Sequence, residues 1–324
     1  MIIISIINNK GGVGKTTYLF HLANILADHN KTVLMVDCDS QCNLTAYSVD
    51  EEVIKYAWDE EGNSIYKVLE KVSIGMGDIE QKVPTKIRDY LYLVPGDVDL
   101  SRFEDRLGDT WSSVNSEEIS LRTQIAIYRY ILYAAQTIKA DYVLIDMGPN
   151  LGALNRSVLG GCDYFITPLS PDLFSIKGTQ NLGDKLVKWS KEWVNIIKTW
   201  SSETALELPS GKPKFLGYVI QEHNMRNTKS GMTKAWQIFG KEVDESVNRN
   251  IIQKLKPLCQ VVEKETYTLG QIPNLHSLIP YSQNAHKPVY KCDYKDGLKG
   301  DHITKAKESI HLFDDIVTIL DNIK

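Results

Sequence analysis

The feature that most constrains this chain is its beginning. Residues 2–7 read Ile-Ile-Ile-Ser-Ile-Ile, and Asn8-Asn9-Lys10-Gly11-Gly12-Val13-Gly14-Lys15-Thr16-Thr17 follow at once. An apolar run this short and β-branched predicts a strand buried on both faces, as a parallel sheet covered by helices requires. The glycines end it, and Leu19, Leu22, Ala23 and Leu26 recur at helical spacing over Lys15–Asp28. Lys31–Asp37 (KTVLMVD) predicts the next buried strand. Strand, helix and strand within about 35 residues make a right-handed βαβ unit.

The same reading predicts strands at Tyr90–Val94, Tyr142–Asp146, Tyr164–Pro168, Phe215–Gln221 and Thr268–Ile272. It predicts helices at Ile119–Ile138, Ser175–Trp200 and Ile303–Ile323. That alternation implies an α/β fold: a doubly wound, mostly parallel sheet with helices on both faces. Asp50–Glu61 holds six acids and one Lys, which predicts a solvated segment, and Ser201–Lys214, with Pro209, Gly211 and Pro213, predicts a loop. With 324 residues and 43% hydrophobic content, one elaborated domain is expected.

A glycine-rich loop between a buried strand and a helix turns successive backbone N–H groups toward one point, where the positive helix end adds its field. That is a cradle for a polyphosphate. Lys15 is placed to reach the terminal phosphates and the Thr16 hydroxyl to ligate Mg²⁺. Asn9 stands where the usual phosphate-loop pattern has its first Gly, and a second lysine, Lys10, precedes Gly11-Gly12. Asp37, Asp39 and Asp146 lie at or just past the carboxyl ends of predicted strands, which in an open α/β sheet converge on the ligand crevice.

Lys10–Thr17 resembles the deviant Walker A motif of the ParA/MinD superfamily of P-loop ATPases, nearest the ParA/Soj-type partition ATPases. Val33–Gln41 is similar to that family's second motif, with Ser40 in place of its proline. Asp141–Gly152 resembles the Walker B strand and switch segment, and Leu91–Leu100 and Pro168–Gly178 are similar to further ParA segments. The stretches near 50–65, 101–118, 201–214 and 228–265 are insertions without a counterpart in the resemblance.

The resemblance implies an ATPase that binds ATP and Mg²⁺ and forms an ATP-dependent homodimer. Gly11, Gly12, Val13, Gly14, Lys15, Thr16 and Thr17 would hold the nucleotide, and Lys10 would reach the partner's phosphates. Asp39 would orient the attacking water, Asp146 would hold Mg²⁺ through water, and Asp37 would support the metal shell. The residues alone do not separate Asp37 from Asp39. Asn224 stands where such proteins often contact adenine. A cytoplasmic, nucleoid-associated role in plasmid or chromosome partition or cargo positioning is implied, with a ParB-like stimulating partner.

Composition narrows the alternatives. A net charge of −4, from 37 basic against 41 acidic side chains, excludes a whole-protein basic field. Five cysteines without a Cys-x-x-Cys pair argue against a disulfide framework or a zinc site, and Met147 and a lone Cys162 against a bridging iron–sulfur cluster. No run approaches the ~20 apolar residues of a membrane span. A MinD-like membrane switch needs a basic amphipathic C-terminal helix. Here Phe313, Ile316, Val317, Leu320 and Ile323 form a stripe, but Glu308, Asp314, Asp315 and Asp321 oppose Lys305, Lys307 and Lys324.

The segment Gln271–Pro288, where ParA proteins commonly carry DNA-binding arginines, has only Lys287. Helix 175–200 instead gathers Lys177, Lys185, Lys188, Lys191 and Lys198 within ~140° of arc, with Leu182, Leu186, Trp189, Trp193, Ile197 and Trp200 opposite. That face is the expected surface for non-specific DNA.

Overall fold

The computed structural model describes residues 1–223, 234–275 and 277–323, with the backbone alone for 222–223 and 234–239. Eight strands form one sheet: β1 (Ile2–Ile6), β2 (Val33–Cys38), β3 (Thr85–Arg88), β4 (Leu91–Val94), β5 (Tyr142–Met147), β6 (Tyr164–Leu169), β7 (Lys214–His223) and β8 (Thr268–Pro273). Their order is β3-β4-β2-β5-β1-β6-β7-β8. Every pairing is parallel except β3 with β4, a short antiparallel edge not expected from the sequence.

The first seven helices are α1 (Lys15–Asp28), α2 (Asn43–Ser48), α3 (Glu51–Trp58), α4 (Ile65–Ser73), α5 (Leu100–Thr110), α6 (Glu118–Gln124) and α7 (Ala126–Ile138). The others are α8 (Ala153–Gly160), α9 (Leu173–Trp200), α10 (Lys234–Val247), α11 (Gln253–Leu255), α12 (Leu278–Asn284), α13 (Asp301–Glu308) and α14 (Asp314–Asn322).

Strand alternation divides the core between the two faces. Ile3, Ile7, Leu34, Val36, Val143 and Ile145 pack on one side with Leu69, Phe103, Tyr130 and Leu186 from α4, α5, α7 and α9. Ile4, Ile6, Val33, Met35 and Leu144 pack on the other with α1 and with Phe313, Ile316, Val317 and Leu320 near the C-terminus. Each such buried side chain contributes about 1.5–3 kcal/mol of transfer free energy. Four of the five residues of the C-terminal apolar stripe are thus core residues, covering the sheet rather than facing a membrane. Among the described residues no helix is long and apolar enough to cross a membrane.

The acidic segment 50–61 is mostly exposed, as expected, and most of it is helix: Asp50 caps α3 by accepting the Val53 N–H at 3.1 Å, and Glu51 and Glu52 suit its positive end. Two readings of the sequence need correction. The helix expected over 119–138 breaks at Ile125, because the Gln124 carbonyl accepts the Ser157 hydroxyl at 2.6 Å and Gln124 Nε2 donates to Leu107 O at 2.7 Å. The helix expected over 303–323 is α13, a 3₁₀ turn over Ser309–Phe313, and α14.

A candidate nucleotide cradle at the carboxyl edge of the sheet

The strand order reverses around β1, which lies between β5 and β6, while the chain runs from β1 through α1 to β2. A crevice opens at such a point beyond the carboxyl ends of the strands. Register carries the acidic residues there: Ile6 pairs with Asp146, and Asp146 with Asp37.

The loop between β1 and α1 forms the floor. Gly12 and Gly14 have φ of 72° and 74°, left-handed values that favour glycine. Gly14 has a second reason: a Cβ there would lie 2.0 Å from Gln221 Oε1, while Gln221 Nε2 donates to Gly14 O at 3.3 Å. The first α1 backbone bond runs from Tyr18 N to Gly14 O at 2.9 Å. The N–H groups of Lys15, Thr16 and Thr17 precede it and are open to an anion.

Lys15 is buried, with Nζ 3.5 Å from Lys10 O. Burial lowers its pKa, and the charges of Asp146 and Asp39 offset that only in part. The Thr16 hydroxyl donates to Asp146 Oδ2 at 2.6 Å. Asp146 Oδ1 is buried without a hydrogen-bond partner among the described residues. Burial, with the charge of Asp37, pushes the Asp146 carboxyl up to about 7, against the Thr16 hydroxyl and Lys15. An orphaned carboxylate oxygen beside a hydroxyl is a donor set for a hard cation such as Mg²⁺. Among the described residues no three His, Cys, Asp or Glu side chains gather to hold a metal alone.

The two remaining aspartates differ in a way the sequence left open. Asp37 Oδ2 accepts the Thr45 N–H at 2.8 Å and its hydroxyl at 2.7 Å, and Oδ1 accepts the Asp39 N–H at 3.2 Å. Thr45 Oγ1 accepts the Gly96 N–H at 2.7 Å. Asp37 therefore ties β2, α2 and the loop after β4 together, and burial raises its carboxyl to about 6. Among the described residues the Asp39 carboxylate accepts only the Gln41 N–H, at 3.0 Å, and it lies against Gly148, where a Cβ would be 3.4 Å from Oδ1. Of the two, Asp39 is the one with capacity to spare for a water.

Lys10 Nζ does not enter its own cradle; it pairs with Asp172, which also caps α9 by accepting the Ser175 N–H at 2.9 Å. Burial works against ionisation of Asp172, but Lys10 and that N–H outweigh it and hold the carboxyl below the usual range. The sequence reading passed over Asp172, Thr45 and Gln221. Only Asp172 had a local signal, an Asp just ahead of a helical pattern. Asn224 lies outside the described residues.

All five lysines assigned to the helix 175–200 face are exposed on α9, and only Lys188 has an ion-pair partner among the described residues, Glu192 at 3.8 Å. The buried side is as expected, except that Ile196 replaces the half-buried Ile197.

A family model described as an AAA domain matches residues 1–198. The chain is 34% identical over 295 residues to an uncharacterised protein of Methanocaldococcus jannaschii, covering 90% of this chain and 92% of that one. It is 31% identical over 182 residues to the chromosome partitioning protein ParA of Myxococcus xanthus, spanning 56% of each chain. A protein of Corynebacterium diphtheriae has a similar structure, with TM-score 0.70 and 26% identity over 88% of this chain and 97% of that one. A putative plasmid partition protein of Borrelia burgdorferi bound to AMPPNP shares the fold, with TM-score 0.54 and 19% identity over 96% of this chain and 98% of that one.

Proposed function

The chain belongs to the ParA/MinD type of P-loop ATPases, and from that premise we propose that it is a Mg²⁺-dependent ATPase that dimerises on ATP and resets by hydrolysis, serving DNA partition or cargo positioning on the nucleoid. The observation that carries this reading is the Thr16–Asp146 pair beneath the glycine cradle, with one Asp146 oxygen left unpartnered among the described residues.

Each side chain then has a task. The N–H groups at the start of α1 and the Lys15 ammonium receive the β- and γ-phosphates. Thr16 and Asp146 would hold Mg²⁺, which when bound would supply positive charge against the phosphate oxygens. Asp37 keeps the loops around it in register. Asp39 orients the water that attacks the γ-phosphorus in line with the leaving oxygen, so it acts mainly in the transition state. Lys10 leaves Asp172 and completes the partner's site across the dimer. The exposed α9 lysines hold DNA phosphates without reading sequence, and two copies in a dimer raise avidity. A ParB-like partner would stimulate turnover.

Sedimentation with ATP and Mg²⁺ tests the core of this reading. Lys15→Ala is expected to lose nucleotide binding, because the backbone cradle cannot by itself offset the phosphate charge. Lys10→Ala is expected to bind nucleotide as a monomer but dimerise weakly. An ATP-dimer in Lys10→Ala equal to wild type would refute the cross-dimer role.

A further inference from the structure

One buried side chain beside the cradle has no task in that cycle. Asn155, in the first turn of α8, is fully buried. Its Nδ2 donates to Gly148 O at 2.9 Å and to Asn150 O at 2.7 Å. Two carbonyl acceptors require the NH₂ end of the amide at that point, so the partners settle its orientation. The Oδ1 end is buried without a hydrogen-bond partner among the described residues. A buried acceptor left unmet works against folding, so the amide is accounted for by what its NH₂ group holds.

It holds the loop that crosses the cradle. Gly148, Pro149 and Asn150 follow β5 directly, and Gly148 is two residues past Asp146. Gly148 lies against Asp39, and a Cβ on Gly11 would be 4.0 Å from the Pro149 ring. The loop thus touches both the carboxylate assigned to the water and the phosphate loop. Pro149 has no N–H to donate, and Asn155 grips the carbonyls on either side of it. The grip turns both oxygens toward α8. Released, they would be free to turn toward phosphate oxygens, whose charge they oppose.

The mount for this grip is rigid. Leu154, Val158 and Leu159 pack α8 into the core. Ser157 Oγ donates to Gln124 O at 2.6 Å, and Trp193 Nε1 donates to Arg156 O at 3.1 Å. A side chain locked by such packing can hold its neighbour to the fraction of an ångström that aligning a nucleophile needs.

We infer that Asn155 is a positioning residue for hydrolysis: by clamping Gly148 and Asn150 it fixes the wall against which Asp39 and its water sit. This rests on the ATPase reading above and adds a residue to it. Asn155 acts through the loop, so its effect falls on turnover and not on capture of the nucleotide.

The test measures phosphate release with Mg-ATP for kcat and KM, a fluorescent ATP analogue for affinity, and sedimentation with AMPPNP for the dimer. Asn155→Leu has a similar volume and no donor; Asn155→Ser is smaller but keeps one. Both are expected to bind nucleotide and to dimerise like wild type. In Asn155→Leu kcat should fall about 10–100-fold with KM unchanged, and Asn155→Ser should keep more of it. A role in packing alone reverses that order, so a leucine variant that turns over as well as the serine variant overturns the inference. Wild-type kcat in both overturns it too, as does a loss confined to KM or to the dimer. If Asn155→Leu does not fold, Asn155→Ser decides alone, by a fall in kcat with affinity kept. If wild type itself releases no phosphate, the ATPase reading fails, and this inference with it.

Discussion

Removing His21 should change how stability depends on pH. His21 is buried in α1: Nδ1 lies 2.7 Å from the Thr17 carbonyl, and Nε2 accepts the Val289 N–H at 2.9 Å. The ring is therefore assigned as the neutral Nδ1–H tautomer, bridging the phosphate-loop helix and the segment after α12. Protonating Nε2 would set two donors against each other in a dry site, and burial depresses the pKa from 6.5 to about 4. In the unfolded chain His21 takes up its proton near 6.5, so between 6.5 and 4 the unfolded state binds more protons. The stability it contributes is whole above 6.5 and is lost as pH falls toward 4. At about 1.36 kcal/mol for each tenfold change in proton affinity, the fall from 6.5 to about 4 is worth about 3 kcal/mol. Asp37 and Asp146, raised to about 6 and 7, act in the opposite sense over a similar range. The total curve is thus a poor readout, and the difference between wild type and His21→Gln is the useful one, because the carboxylates cancel in it. Urea denaturation without nucleotide at about pH 7.5 and about pH 4.5 should show the deficit of His21→Gln shrinking by about 2–3 kcal/mol at the lower pH. Parallel stability curves for the two proteins would refute the buried neutral ring.

Gly14→Ala should cost the nucleotide-free protein about 2–3 kcal/mol: about 1–2 for a left-handed alanine and about 1 for displacing the Gln221 amide. Adding Gln221→Ala should then relieve the steric part in urea denaturation, and a loss under about 0.5 kcal/mol would contradict the close approach. Asp39→Ala should bind Mg-ATP and accumulate as dimer with hydrolysis lost, because water positioning contributes to the transition state more than to ground-state binding; normal phosphate release by this variant would move the role elsewhere. Lys185→Glu/Lys188→Glu/Lys191→Glu should abolish a salt-sensitive, sequence-indifferent gel shift while ATP turnover stays intact, and an unchanged shift would clear α9 of DNA binding.

Legibility followed the range of the interactions. Seven of the eight strands could be read because each carries its own local signal, in most of them a buried apolar run bounded by turn residues. The edge strand β3 could not, since Thr85–Arg88 has Lys86 and Arg88 and pairs only because β4 lies beside it. Long stretches of helical periodicity were also misread as continuous where a distant group takes a backbone carbonyl. Ser157 does this at Gln124, 33 residues away, and nothing near Gln124 announces it.

The site divides along the same line. Sequence alone placed the glycine loop and the three aspartates at one edge of the sheet, because glycine positions, Lys15, Thr16 and strand ends are local properties of a chain entering a helix. Only the tertiary structure decided what each group has left to give. Asp37 and Asp39 are two residues apart and chemically identical, yet Thr45 and the Asp39 N–H occupy the first, while the second keeps free capacity. Lys10 and Asp172 are 162 residues apart and meet only because β1 and β6 are neighbours in the sheet. A residue's type is written in the chain, but its hydrogen-bond partners and its solvation are set by what folds against it.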